Sequence, residues 1–279
     1  MADHRIGVMQ GRLSPRPESR LQAFPHETWP EEFAQAKRIG FSYIEWIYEA
    51  ERANENPIAS ERGRAAIRAC AEASGLPVGS VCADYFMIHR LAGGTAQERA
   101  ENAAELSDLV RWTRELGASR ILLPLLETSA VDTPEQKAEV TESLRRVCPA
   151  LEKYEVVLGL EMEIPGPEYA ALIRGVGHER VRAYYDTGNS TAQGFDIASD
   201  ILPLLPLLEA VHMKDRAVRG TSQPFGRGAA NFPGFFAVLA RAGYAGDFLT
   251  QHYFDAEPEA AAAHSLGFVR EQLGTRKAA

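Results

Sequence analysis

Short apolar runs and longer stretches with an apolar residue every three or four positions take turns along this chain. That alternation reads as buried strands separated by amphipathic helices. Arg5-Ile-Gly-Val-Met9 is fit for a strand and leads into the polar loop Gln10 to Arg16. Thr28-Trp-Pro-Glu31 reads as a capping box with proline in the first turn, and Phe33, Ala36 and Ile39 continue at helical spacing until Gly40. Ser42–Ile47 is a second strand, Ser60–Ser74 a second helix closed by Gly75, and Pro77–Cys82 a third strand. Gln97–Leu116 is helical, with Ala103, Leu106, Val110 and Thr113 on one face and Gly117 at its end. Arg120–Pro124 is a fourth strand. Thr133-Pro-Glu-Gln136 caps the next helix, carried by Val140, Leu144, Val147 and Leu151, in which Pro149 is expected to make a kink or a split.

Three further apolar runs each end in a possible metal ligand. Val156–Leu160 runs into Glu161, Val181–Tyr185 into Asp186, and Glu209–Val211 into His212, with helices expected near Pro167–Arg174 and Asp196–Leu205. Asn231 caps a helix through Arg241, Asp247–Gln251 is an eighth strand, and Pro258–Leu273 a last helix. Eight strand–helix alternations without a linker or composition shift favour an α/β fold, a single (β/α)8 TIM barrel spanning residues 1–279 as one domain. A doubly wound open sheet is the alternative. No GxGxxG or GxxxxGK[ST] follows a strand, so its nucleotide-binding versions lack their motif.

Composition narrows the class. A formal net charge of −8 argues against a nucleic-acid-binding surface. Three cysteines, Cys70, Cys82 and Cys148, lack CxxC spacing and read as free thiols of a reducing compartment. The N-terminus does not read as a signal peptide, and no run reaches the roughly 18 apolar residues of a membrane span. A cytoplasmic protein with no membrane partner is expected.

In a barrel the C-terminal strand ends converge on one face, where active sites lie. The gaps 186 − 161 = 25 and 212 − 186 = 26 each fit one strand, one helix and two loops. Glu161, Asp186, His212 and, at the end of strand eight, Gln251 are therefore expected at one spot. Carboxylate, imidazole and amide donors suit one divalent cation (Mn, Co, Mg or Zn). Glu163 and Asp215 crowding the same mouth would repel Glu161 and Asp186 without a cation among them.

Leu160-Glu161, Asp186-Thr-Gly-Asn189, Val211-His-Met-Lys-Asp215, Gly226-Arg-Gly228 with Asn231-Phe-Pro, and Ala242-Gly-Tyr-Ala-Gly246 carry a resemblance. In their order and spacing the chain resembles the xylose isomerase-like TIM-barrel family of sugar and sugar-phosphate isomerases and epimerases, over nearly its whole length. The resemblance implies that Glu161, Asp186 and His212 bind a divalent cation, often manganese, cobalt or magnesium. It also implies that Glu161 is the catalytic acid/base of a reaction through an enediolate. Asn189 stands where such epimerases commonly have a substrate-binding histidine, and Arg216 is the closest match to their substrate-binding arginine.

One departure bears on mechanism. Aligning Gly243-Tyr-Ala-Gly-Asp-Phe-Leu-Thr puts Gln251 where family members usually place a second glutamate, both ligand and opposing base. Glu163, Glu127 or Asp84 is then needed as a second group for epimerisation, or Glu161 alone moves a proton between adjacent carbons in aldose–ketose isomerisation. A metal-dependent dehydratase or lyase on a keto-cyclitol or related polyol is an alternative, as is a non-catalytic barrel. The zinc-rich DNA-repair endonucleases of the superfamily fit poorly, because the chain has 7 histidines and is acidic.

Substrate contacts are expected from Gln10 and Arg12 after strand one, His89 and Arg90 after strand three, and Lys214, Arg216, Arg219 and Arg227 around strand seven. Such cations suit a sugar phosphate. Trp46 and Phe86 are read as packing, and His252 as facing away from the site. Family analogy adds a possible homodimer or homotetramer.

Overall fold

The computed structural model describes residues 4–15, 22–253 and 256–274. Eight parallel strands close into a barrel: β1 (Ile6–Met9), β2 (Tyr43–Ile47), β3 (Val78–Cys82), β4 (Arg120–Leu125), β5 (Val157–Met162), β6 (Val181–Asp186), β7 (Leu208–Met213) and β8 (Asp247–Thr250). The order around the barrel is β1-β8-β7-β6-β5-β4-β3-β2, each strand pairing with its sequence neighbours and β1 closing on β8. This is the (β/α)8 fold expected from the alternation. The strands read as continuous apolar runs because they are covered on both faces, by interior side chains and by the outer helices.

Three local expectations are corrected. Thr28 precedes the helix Trp29–Ile39, but its side chain makes no cap hydrogen bond. Its hydroxyl instead pairs with Ser14 Oγ at 2.7 Å, and Ser14 donates to Glu32 at 2.8 Å. Pro149 does not split its helix, which runs unbroken from Pro134 to Tyr154. The buried row Val140, Leu144, Val147 and Leu151 supports the turn in which proline removes one amide. The helix expected over Asp196–Leu205 is one α-turn, Ile197–Asp200, and then a 3₁₀ stretch, Leu202–Leu207, because Pro203 and Pro206 deny it successive donors. A helix that the pattern did not reveal, Thr187–Ala192, follows β6 directly.

The barrel floor is ionic. Arg120 at the start of β4 is 5% exposed and reaches Asp247 at 2.6 Å and Glu209 at 3.2 Å. Arg5 caps the outer side of the same aspartate at 2.6 Å. Above the floor Tyr43 and Tyr184 fill the interior, both fully buried. Glycines make room for them: a Cβ at Gly7 or Gly79 would lie 2.4 Å from Tyr43, and one at Gly159 would lie 2.8 Å from Tyr184. The floor and the tyrosine layer are filled, so the open end for chemistry is the C-terminal face. Among the described residues no helix is long and apolar enough to cross a membrane.

Candidate metal centre

Glu161, Asp186 and His212 lie on β5, β6 and β7. Asp186 pairs with His212 in the β6–β7 register, which sets them side by side. One donor atom from each of the three falls within 4.8 Å of the others, and all three residues are buried. His212 Nδ1 stands 3.5 Å from both Glu161 Oε1 and Asp186 Oδ2.

Local structure divides the labour of the oxygens. Asp186 Oδ1 caps the helix Thr187–Ala192 by accepting from Asn189 N at 2.7 Å. Asp186 Oδ2 and His212 Nδ1 are buried and make no hydrogen bond among the described residues. Two carboxylates and an imidazole, with Asp186 Oδ2 met only by the Lys214 ammonium at 3.1 Å and His212 Nδ1 without a hydrogen bond, fit a divalent cation.

The charges are strongly coupled. Burial pushes the Glu161 carboxyl up to about 7, against the pull of His212, and the neighbouring Asp186 adds to the rise. Burial also opposes ionisation of Asp186, yet Lys214, His212 and the Asn189 amide hold it well below the usual carboxylate range. Burial likewise disfavours a charged His212, but Asp186, Glu161 and Glu45 outweigh it and raise its pKa well above the ordinary value.

Glu45 belongs to none of the motifs in the sequence. It lies on β2, fully buried, with Oε1 3.3 Å from His212 Nε2. Its Oε2 accepts from Ser80 Oγ at 2.5 Å and from Tyr184 OH at 3.0 Å. The contact with His212 is an ion pair and not an aligned hydrogen bond, both atoms being without a hydrogen-bond partner among the described residues; a carboxylate there favours a proton on Nε2 and leaves the Nδ1 lone pair free. The signal was present as a lone acid inside the apolar run Tyr-Ile-Glu-Trp-Ile, since carboxylates are almost never fully buried without a partner.

Asn189 is the hub on the β6–β7 side. Its Nδ2 donates to Glu161 Oε1 at 3.1 Å, while its Oδ1 accepts from Lys214 Nζ at 3.2 Å and Arg216 Nη1 at 3.0 Å. Lys214 Nζ also stands 3.1 Å from Asp186 Oδ2. Glu163 is half-buried beyond Glu161; burial raises its pKa, Arg216 opposes, and Glu127 and Asp186 add to the rise.

Asp215 is a correction. It does not crowd the carboxylates but accepts backbone hydrogen bonds from Gly226 and Gly228 at 2.9 Å and from Ala230 at 3.3 Å. The Gly226-Arg-Gly228 motif thereby wraps the acid, and a Cβ at Gly228 would sit 2.1 Å from Asp215 Oδ1.

On the β8 side, Leu249 pairs with His212, so Gln251, two residues on, presents its side chain to the same side. Gln251 N continues the ladder to Met213 O at 3.0 Å. Its Nε2 donates to Gln22 Oε1, and its own Oε1 is buried with no hydrogen bond among the described residues. Gln22 Nε2 donates in turn to Asp84 Oδ2, and Gln22 Oε1 also accepts from Arg12 Nη2 at 3.3 Å. Asp84 additionally accepts from the Cys82 thiol at 3.1 Å.

The other candidates have their own surroundings. Gln10 Oε1 accepts from Ile47 N at 3.1 Å, which ties that side chain to β2. His89 stacks on Tyr85 at 4.1 Å between centroids, and Glu127 is exposed. Arg90, Arg219 and Arg227 are exposed too. Trp46 is fully buried, packs against Phe24 and Trp29, and bonds Asn56 at 3.0 Å. Phe86 is likewise fully buried. His252 is buried with Nε2 on Arg12 O at 3.2 Å and is outside the cluster.

Comparison with known proteins follows the same outline. Residues 33–272 match the sequence model of the family described as xylose isomerase-like TIM barrel. An L-ribulose-5-phosphate 3-epimerase of Escherichia coli is 23% identical over 258 residues, 88% of this chain and 90% of that protein. The D-psicose 3-epimerase of Clostridium cellulolyticum H10 superposes with a TM-score of 0.77 at 18% identity, covering 96% of this chain and 99% of that one. A 3-keto-D-glucoside 4-epimerase of Escherichia coli superposes with a TM-score of 0.73 at 21% identity, covering 96% and 99%.

Proposed function

The chain belongs to the xylose isomerase-like TIM-barrel family, and from that premise we propose that it is a divalent-metal-dependent sugar or sugar-phosphate isomerase or epimerase. The observation that carries this reading is the convergence of buried Glu161, Asp186 and His212 at the barrel mouth. These three would hold the cation, with Gln251 as the fourth corner. A divalent cation held there would act as a Lewis acid on the ketose and acidify the C–H beside the carbonyl.

The chain's own residues then have separable tasks. Glu161 takes the proton from the carbon beside the carbonyl and returns it to that carbon or its neighbour through an enediolate. Its carboxyl sits among His212, Asp186 and Lys214, which set the balance between its two protonation states. Asn189 orients it by donating to Oε1. Lys214 and Arg216, gathered on the other end of that amide, supply positive charge beside the developing oxyanion. Glu45 keeps the His212 ring in place.

Gln251 cannot accept a proton, so at the strand-eight corner no carboxylate opposes Glu161. For epimerisation, half-buried Glu163, two residues beyond Glu161, would serve as the second group. The same neutral corner favours a second reading, a dehydratase on a keto-polyol, in which one base removes the proton and hydroxide leaves.

The test is incubation of metal-loaded protein with ketoses and ketose phosphates in D₂O. Deuterium at the carbon next to the carbonyl, absent in Glu161→Gln, is expected. An aldose product marks isomerisation, an epimeric ketose epimerisation, and a dehydrated product the second reading. No exchange on any of them would overturn the proposal.

A further inference from the structure

Gln251 is an amide in a corner where only an oxygen is useful to a cation, and an amide has two ends of similar shape. Something must decide which end faces the site. In this structure its Nε2 donates to Gln22 Oε1, while Oε1 is buried without a hydrogen-bond partner among the described residues. Gln22 has the same ambiguity, and it is resolved one step further back. Its Nε2 donates to Asp84 and its Oε1 accepts from both Gln251 and Arg12 Nη2. An ionised carboxylate accepts only and a guanidinium donates only, so Asp84 and Arg12 fix the sense of the whole chain.

We infer that Gln22 is a positioning residue: with Asp84 and Arg12 it locks the Gln251 amide with its oxygen toward Glu161, Asp186 and His212, making a neutral glutamine a usable fourth metal ligand. The inference rests on the metal-centre reading above. The chain of hydrogen bonds Asp84–Gln22–Gln251 also polarises the terminal oxygen, because each amide N–H that donates leaves its own carbonyl more negative. Gln22 precedes the first helix, and its hydrogen bond reaches a residue 251 − 22 = 229 positions away at the end of β8.

The test is calorimetric titration of chelator-treated full-length protein with Mn²⁺, in a two-by-two set. The variants are wild type, Gln22→Met, Gln251→Glu and the double variant, with Asp84→Asn as a second probe of the same lock. Loss of an outer-shell partner of a ligand weakens metal binding by about 10- to 100-fold. Gln22→Met is expected to lose at least about 10-fold in a wild-type background, and Asp84→Asn to move the same way. In the Gln251→Glu background the same change should lose nothing, because both carboxylate oxygens are equivalent ligands and need no lock. A merely structural role would cost the same in both backgrounds. Equal losses in the two backgrounds, or no loss in either, would overturn the inference while leaving the metal centre standing. Wild-type protein that binds no Mn²⁺ would overturn the inference and the metal-centre reading together.

Discussion

Replacing Glu45 by glutamine should weaken the metal site without altering a ligand. The change swaps one oxygen for an NH₂ at a residue that is fully buried in the barrel. Glu45 Oε1 is 3.3 Å from His212 Nε2, and Oε2 accepts from Ser80 and Tyr184. Two opposite unit charges at 3.3 Å attract by about 5 kcal/mol at an effective dielectric of about 20. That figure is a ceiling, because a metal-bound imidazole is neutral and the interaction is then carboxylate with N–H dipole. Outer-shell carboxylates behind metal-binding histidines typically contribute 10- to 100-fold in affinity, about 1.4–2.7 kcal/mol. The amide satisfies one side at a time: with its oxygen on Ser80 and Tyr184 its NH₂ meets His212 Nε2, and in the opposite sense the two hydroxyls must turn to accept, at a cost of up to about 1–3 kcal/mol in stability. Mn²⁺ titration calorimetry, with urea unfolding as the control for folding, measures both. Affinity within about twofold of wild type in a folded variant would refute the assignment of Glu45 as the residue that orients His212.

Other perturbations address the frame. Gly159→Ala sets a methyl 2.8 Å from the Tyr184 ring, and overpacking of this kind should cost about 1–3 kcal/mol in urea unfolding. Arg120→Met leaves Asp247 and Glu209 short of their buried cation and should cost about 3 kcal/mol or more in the same assay, while metal binding by the folded fraction persists. Glu32 gives a pH signature. Burial raises its carboxyl to about 7 from 4.5, so the folded state binds the proton more tightly than the unfolded chain. The stabilisation is full below about 4.5 and is lost as pH rises through about 7, with a span of about 3 kcal/mol. Glu32→Gln should flatten that slope in unfolding measurements between pH 4.5 and 7; an unchanged slope would assign it to other groups.

Much of the frame was legible because parallel barrel strands are buried on both faces and stand out as apolar runs, and because glycines mark helix ends. Gly40 and Gly75, for example, hold left-handed conformations at φ 105° and 65°. The three proposed ligands were legible for the same reason, each being the first polar residue after such a run. What escaped the reading depends on closure. Glu45 belongs to strand two and acts on a histidine of strand seven, and nothing local links them. Gln22 lies in a stretch without periodicity, and only closure of the barrel brings it to Gln251. Thr28 and Glu31 have the letters of a capping box, but Ser14 from the preceding loop takes the hydroxyl first. Asp215 looked like a fourth acid of the site until Gly226 and Gly228 turned their amides onto it.

The central claim is that the ends of β5, β6 and β7 form one divalent-metal centre. Crystals grown with manganese, with diffraction data recorded across the manganese absorption edge, test it most directly. The account predicts one anomalous peak at about 2.2 Å from oxygens of Glu161 and Asp186 and a nitrogen of His212. Saturating manganese with no peak among these three residues, or with peaks only elsewhere on the molecule, would contradict it.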